Sequence, residues 1–318
     1  MMTAGRNRPV LVTGAAGCIG AWVVANLVRR GIATVVLDRS DDRRRLRLLL
    51  DEEEVASVPW ITGDIADGPV VDTAVDKTDA DAIIHLAALQ VPFCKADPAA
   101  GARVNVVGHV NVFEAARRYG IRRLVYASSV AALPADGAVY PSTLYGVYKA
   151  ADEGIARIYA QDCGVPSIGL RPHTVYGPGR DQGLTAAPTL AMLAAVAGRP
   201  YRIPFSGALL FQYAGEVAEI FVRCCIDGEP EPNRSQVFDI ACARITVEEI
   251  VSAICRAVPT AAVTVDGAAL PFPAGQDDGP LRQLIEPWAE VGLDEGVRRT
   301  IARFRELLDR GLLRVDAA

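Results

Sequence analysis

Tyr145 precedes Lys149 by four residues in the stretch STLYGVYKAADE (142–153). On a helix the two side chains leave the same face. A free phenol, with a pKa near ~10, is a poor acid or base at neutral pH. An ammonium a few ångströms away favours the phenolate, and the pair becomes a general acid–base poised near working pH. An amphipathic helix with a core tyrosine and a surface lysine gives the same spacing, so the pair decides nothing alone. A second group is Gly14, Gly17 and Gly20 in VLVTGAAGCIGAW. Glycines so spaced let a backbone turn tightly and approach a pyrophosphate, with the amides of a helix start at Cys18 and Ile19 facing the anion. Asp38 follows Gly20 by 18 residues, at the end of a strand-like segment. Its carboxylate would accept hydrogen bonds from the adenosine ribose hydroxyls and repel a 2′-phosphate, which favours NAD over NADP. The adjacent Arg39 softens that preference, since an arginine can accept such a phosphate. A glycine-rich turn that packs a helix on a sheet, without ligand, is the competing reading.

Positioning these groups requires a regular scaffold. Apolar strand-like runs at 9–14, 33–38, 58–65, 82–88, 122–129 and 165–172 alternate with helical patterns at 15–31, 101–120 and about 145–163. That alternation predicts an α/β fold, a doubly wound parallel (Rossmann) sheet with helices on both faces. Beyond Pro172 the pattern weakens and Gly and Pro become frequent, which suggests a smaller, looser, substrate-facing part. The division expected is 1–172 for the dinucleotide-binding domain and 173–318 for the substrate-binding part. A strand at 237–241 is expected to return to the main sheet.

Composition narrows the function classes. Of 318 residues, 51% are hydrophobic and 22% charged, which marks a globular chain. A net charge of −5 gives no reason to expect nucleic acid or an anionic membrane. The basic run DDRRRLR (41–47) is short and flanked by acids, and reads as a solvated helix start. No apolar run reaches the ~20 residues that span a bilayer, and MMTAGRNRP lacks the apolar stretch of a secretory signal. Seven scattered cysteines without a Cys-x-x-Cys pair suit a reducing cytoplasm. His85, His109 and His173 are far apart in sequence, so no metal is expected.

The glycine spacing TGAAGCIG, HLAA at 85–88, YASS at 126–129, YGVYK at 145–149 and RPHTVYGPG at 171–179 fall in one order. Together they resemble an extended short-chain dehydrogenase/reductase of the NAD-dependent epimerase/dehydratase type. The motifs run from residue 10 to about 180, and the last third is only loosely similar. The resemblance implies Tyr145 as catalytic acid–base, Lys149 lowering its pKa while holding the nicotinamide ribose, and Ser129 hydrogen-bonding the reacting oxygen. It implies Asp64 and Ile65 beside the adenine, and Leu86, Ala87 and Ala88 close to the cofactor ribose. Asn105 is expected near the active site and Pro172 and His173 beside the nicotinamide, although a structural role is open for Asn105 and His173. His85, ending a buried strand, reads as structural. A homodimer paired through the helices at about 101–118 and 145–161 is also implied. Val107, Val110, Phe113, Ile155 and Ile158 would then be its apolar contacts, or would face the chain's own sheet.

Departures from the family pattern bear on the reaction. Dehydratases and decarboxylases of the family place acids just after the active-site hydroxyl, whereas Ser129 is followed by Val130, Ala131 and Ala132. Dehydrogenase and epimerase chemistry remain. Leu209 stands where nucleotide-sugar enzymes carry a diphosphate-binding arginine, and Arg180, Arg202 and Arg282 are the other cations available. A small sugar, sugar acid or polyol is therefore the expected substrate, oxidised or reduced at a secondary alcohol or ketone. An epimerase and a non-catalytic redox sensor are the alternatives. Gln90, Thr143, Arg180 and Thr185 are candidate substrate contacts. Arg180 would clamp a carboxylate or form a surface ion pair with Asp181.

Overall fold

The computed structural model describes residues 8–135, 137–270 and 276–313. The opening MMTAGRN, read above for targeting signals, lies outside them, as does part of the Gly- and Pro-rich stretch at 267–280. Twelve strands occur among the described residues: β1 (Val10–Thr13), β2 (Thr34–Asp38), β3 (Trp60–Thr62), β4 (Ala82–His85), β5 (Arg123–Ala127), β6 (Ser167–Arg171), β7 (Thr174–Tyr176), β8 (Tyr201–Ile203), β9 (Ala208–Tyr213), β10 (Ser235–Asp239), β11 (Arg244–Thr246) and β12 (Val263–Val265). Seven form a parallel sheet in the order β10-β6-β5-β4-β1-β2-β3. The order reverses at β1, which pairs with β2 on one side and β4 on the other. A crevice opens at such a point beyond the carboxyl ends of the strands.

The inner strands β1, β2, β4, β5 and β6 are buried on both faces, so each reads as an apolar run, yet its side chains still alternate, whereas the edge strand β3 leaves Thr62 exposed. Val10, Val12, Val36, Ala82, Ile84 and Val125 enter one core with Trp22 and Leu27. Their neighbours Leu11, Val35, Leu37, Ile83, Leu124 and Tyr126 enter the other, with Phe113 and Ile121. Phe113 is fully buried there, so it serves its own sheet and not a partner, while Val107 and Ile158 are each 45% exposed.

The helix expected over 101–120 is interrupted. Pro98–Ala102 and Gly108–Tyr119 are α-helical, but Arg103–Val107 between them is a π turn. Such a turn inserts an extra residue and re-aims side chains. Here it holds Asn105, which is 1% exposed. Beyond Pro172 the chain is more regular than its sequence suggests. Helices Ala187–Val196, Ala214–Ile226, Val247–Ala257 and Leu293–Asp309 pack with a three-stranded sheet β11-β9-β7 and a pair β12-β8. Between the second and third of these helices the chain re-enters the main sheet as β10, parallel to β6, with Phe238 opposite Leu170. No helix among the described residues is long and apolar enough to cross a membrane.

Candidate active site

The glycine turn is built by close backbone approach. Gly14 has φ +78°, and a Cβ there would meet the Ala87 amide nitrogen at 2.5 Å. A Cβ on Gly20 would strike the Gly14 carbonyl oxygen well inside contact distance. These two glycines let the first helix, Cys18–Arg29, sit on the turn and let the turn sit on the loop after β4. Thr13 ties the same loop: its Oγ1 hydrogen-bonds His85 Nδ1 at 2.7 Å and accepts from the Leu86 and Ala87 amides at 3.2 and 3.3 Å. The first helix begins at Gly17 with no side-chain cap, so its first-turn amides have no partner inside the helix.

Asp38 ends β2 and is 8% exposed. Its Oδ2 accepts from the Ala16 amide at 2.9 Å, which ties it to the glycine turn. Burial pushes its carboxyl above the usual carboxylate range, opposed by that amide. Arg39 beside it is exposed. A bare helix end, a turn that admits no Cβ and an acceptor-only carboxylate fit a pyrophosphate followed by a ribose diol. At the next strand end Asp64 is exposed and caps its own turn through the Ala66 amide at 2.9 Å, while Ile65 is buried against Gly108.

Arg45 corrects the reading of the basic run at 41–47 as solvated. It is 8% exposed. Its guanidinium donates to the Ala16 carbonyl at 2.5 Å and the Gly179 carbonyl at 3.0 Å, and pairs with Asp181 at 2.5 Å. It thereby straps the glycine turn to the loop after β7. The carbonyls that receive it belong to turns 29 and 134 residues away, which a local charge pattern cannot register.

The helix that carries Tyr145 packs on the turn that Ser129 caps through a residue that spacing did not single out. Gly146 packs so closely that a Cβ would strike the Ala131 carbonyl oxygen. The helix Leu144–Cys163 can therefore close on the short 3-10 turn Val130–Ala132 that Ser129 caps. Ser129 Oγ accepts from the Ala131 amide at 3.1 Å. Thr143 Oγ1 accepts from the Gly146 amide at 3.0 Å, so it caps the Tyr145 helix. Tyr145 is half-buried, whereas Lys149, one turn on, is 3% exposed. Lys149 Nζ donates to the Ala127 carbonyl at 2.7 Å and pairs with Asp152 at 3.2 Å. These use two of its three N–H bonds. Asp152 is fully buried, and burial pushes its carboxyl up while Lys149 opposes the shift. Glu153 takes a different neighbour, accepting from Arg171 at two distances of 2.7 Å and from the Ser128 hydroxyl. That network fixes the ends of β5 and β6 beneath Ser129.

The remaining candidates fall into two groups. Asn105, from the π turn, grips the loop after β4, its Oδ1 accepting from the Leu89 amide at 2.7 Å and its Nδ2 donating to the Leu89 carbonyl at 2.9 Å. Pro172 receives the Val130 amide at 3.1 Å. His173 is held through its own amide to Gln212 Oε1 at 2.8 Å, and burial lowers its pKa to about 4. The other group joins Gln90 to a pair of residues on the loop after β7, Arg180 and Thr185. Arg180 Nη2 donates to Thr185 Oγ1 at 2.8 Å and Nη1 to Gln90 Oε1 at 3.4 Å. The expected alternative of an Arg180–Asp181 surface pair is overturned, because Asp181 belongs to Arg45. Leu209, 2% exposed, is core. Arg202 pairs with Asp266, and Arg282 with Asp278 and Glu290.

Known proteins place this arrangement. Residues 10–232 match the NAD dependent epimerase/dehydratase family. A UDP-glucose 4-epimerase of Mycolicibacterium smegmatis is 30% identical over 93% of this chain and 98% of its own length. The NAD complex of a UDP-glucose 4-epimerase from Thermus thermophilus superposes with a TM-score of 0.78 at 26% identity, covering 93% of this chain and 99% of the other. An L-threonine dehydrogenase from Clostridium difficile shares the fold, with a TM-score of 0.80 at 20% identity over 94% and 98% of the two chains. The chain belongs to the NAD dependent epimerase/dehydratase family and is an NAD-dependent enzyme.

Proposed function

We propose that the chain catalyses hydride transfer at a secondary alcohol or ketone of a small sugar-like substrate, with Tyr145 as the general acid–base. The observation that carries this reading is the closure of the Tyr145 helix on the Ser129 turn through Gly146, with Lys149 anchored on the Ala127 carbonyl. NAD, when bound, supplies the hydride acceptor and, in the reverse direction, the hydride donor. The glycine turn at Gly14, Gly17 and Gly20 would hold its pyrophosphate and Asp38 its adenosine ribose. Asp64, Ile65 and Leu86–Ala88 would line its adenine side, and Lys149, Pro172 and His173 its nicotinamide side. Asn105 acts through the loop after β4, which it grips at Leu89. Tyr145 takes the proton of the substrate hydroxyl, with Lys149 anchored one helical turn beyond it on the Ala127 carbonyl. Ser129 Oγ already accepts the Ala131 amide, which leaves its own proton to orient the reacting oxygen.

The reading excludes elimination and decarboxylation, because Val130, Ala131 and Ala132 offer no side chain that moves a proton. A nucleoside diphosphate is disfavoured by the core position of Leu209 and by the acid partners of Arg202 and Arg282. The test is absorbance at 340 nm with purified protein, NAD and a panel of sugars, sugar acids and polyols. A rise with one compound supports the dehydrogenase. Micromolar binding of a nucleoside diphosphate would sink the small-substrate reading. Full-length similarity to a UDP-glucose 4-epimerase favours a second reading, epimerisation without net redox. A flat trace from protein that retains NAD through purification, with interconversion in a nucleotide-sugar panel, selects it.

The exposed Val107 and Ile158 support a homodimer through the two helices that carry them. Light scattering at micromolar protein should give twice the 33.8 kDa chain mass, and Ile158→Asp should halve it. A monomeric wild type rules the dimer out.

A further inference from the structure

Arg180 is a cation without an anion. Among the described residues no carboxylate pairs with it, and Asp181 next to it is committed to Arg45. Two of its guanidinium nitrogens hydrogen-bond neutral groups, Gln90 Oε1 and Thr185 Oγ1, and its Nε is sealed from solvent with no partner. A guanidinium held by neutral acceptors is fixed in direction while its charge stays unanswered, and such a fork matches an oxyanion in bidentate fashion.

Its location is equally specific. Gln90 lies on the loop after β4, the loop gripped by Asn105 and tied to the glycine turn by Thr13. Arg180 follows β7 through Gly177 and Gly179, both at positive φ, and its amide bonds the Gly177 carbonyl at 3.0 Å. Thr185 is the central residue of the 3-10 turn Leu184–Ala186. Ser129 follows β5, the neighbour of β4 in the sheet. Gln90 and Ser129 leave the carboxyl ends of β4 and β5, beside the point where the strand order reverses and ligands lie in folds of this kind, and Arg45 ties the loop that carries Arg180 to the glycine turn there. Arg180 is also close enough to the buried Cys18 thiol, at the start of the first helix, to oppose the upward push of burial on it.

We infer that Arg180, aimed by Gln90 and Thr185, receives a carboxylate of the substrate, and that the substrate class is a sugar acid or related hydroxy acid. The inference rests on the hydride-transfer reading above, to which it adds the group at the substrate's far end. One cation flanked by a hydroxyl and an amide balances a single negative charge. The other oxyanion within its reach is the pyrophosphate of NAD, and the experiment separates the two.

Binding is measured by calorimetry on the enzyme saturated with NADH, without turnover. The probes are hexuronates and aldonates, each beside the neutral sugar or polyol that has a hydroxymethyl group in place of the carboxylate. Wild type is expected to bind at least one acid about tenfold or more above its neutral partner. Arg180→Gln should remove about ten- to a hundredfold of that affinity, as for a lost charged hydrogen bond, and leave NADH affinity unchanged. Thr185→Val, which keeps the charge and loses its orienting hydroxyl, should cost severalfold and serves if Arg180→Gln does not fold. No preference for any acid over its neutral partner overturns the inference. So does an Arg180→Gln protein that loses NADH affinity instead, since the oxyanion is then the cofactor's. The acid–base assignment fails separately: an active Tyr145→Phe protein removes it and leaves the binding result standing.

Discussion

The cofactor side and the substrate side of the crevice are built from opposite materials. Around Gly14, Gly17 and Gly20 the site is backbone, shaped by side chains that are missing. Around Gln90, Arg180 and Thr185 it is side chains carried from two loops, after β4 and after β7. A backbone cradle tolerates no added atom but serves any ligand with the same phosphates. A side-chain cradle tolerates substitution and selects. The two sides meet at Arg45, whose guanidinium touches both turns.

Four substitutions test that division, from the largest effect to the smallest. Tyr145→Phe removes the proton carrier common to both sides. Turnover should fall by about 10²–10⁴-fold, the usual worth of a positioned acid–base, while NADH fluorescence titration gives an unchanged affinity. Loss of cofactor binding as well would make Tyr145 a structural residue. Gly20→Ala drives a Cβ into the Gly14 carbonyl. Overpacking of this kind costs roughly 1–3 kcal/mol, and here it should weaken NADH binding far more than the binding of any sugar acid. Arg45→Met strips three hydrogen-bonded groups of their donor and leaves Asp181 only the more distant Arg44, at 4.0 Å. Denaturant midpoints should report about 1–3 kcal/mol lost, with both ligands weakened together. A loss confined to one side would break the view of Arg45 as the strap.

The smallest effect concerns pH. All three histidines of the chain are held neutral by burial: His85 falls to about 3, His173 to about 4, and His109 well below its ordinary value. A histidine whose folded pKa is depressed stabilises the fold above its unfolded pKa and loses that contribution as pH falls through it. Stability should therefore decline below pH ~6.5. Asp38 and Asp152, raised by burial, work in the opposite direction as they take up protons. His109→Leu isolates one term. Between pH 7.5 and 5.5 this variant should lose about 1.4 kcal/mol less than wild type. Equal losses would mean that His109 titrates normally.

The sequence was legible where structure is local. The apolar runs became β1 to β6, and all but β3 read clearly because a strand buried on both faces has little else to show. The glycine turn was legible because a backbone that approaches itself must lack Cβ atoms, and spacing records that directly. Arg45 was misread because a charge run says nothing of carbonyls on other loops. The π turn at Arg103–Val107 has no compositional mark. Beyond Pro172, β7, β8, β11 and β12 are three residues each, too short for a period to emerge. Helix Ala187–Val196 is apolar on nearly every side, so it lacks one too. Helix Leu293–Asp309 did carry a signal: Val297, Ile301, Phe304 and Leu307 recur at helical spacing and are all buried. Tyr145 and Lys149 were paired by their spacing and given roles, together with Ser129, through the family resemblance, whereas Gly146 and Asp152, which seat them, needed coordinates. Gln90, Arg180 and Thr185 were named singly, and only the structure joined them.

The return of the chain as β10 beside β6 has a consequence for anyone who rebuilds this protein. The stretch from Thr174 to Arg234 is an insertion within the sheet-forming sequence, with an anchored strand on either side. A truncation after residue 172 would leave β6 as a naked edge with unpaired amides and carbonyls, a template for aggregation. A chimera that borrows another enzyme's specificity should therefore keep β10 and exchange this insertion together with the stretch after β10, because β11 pairs with β9 and β12 with β8; a cut-and-append fusion leaves the sheet one strand short.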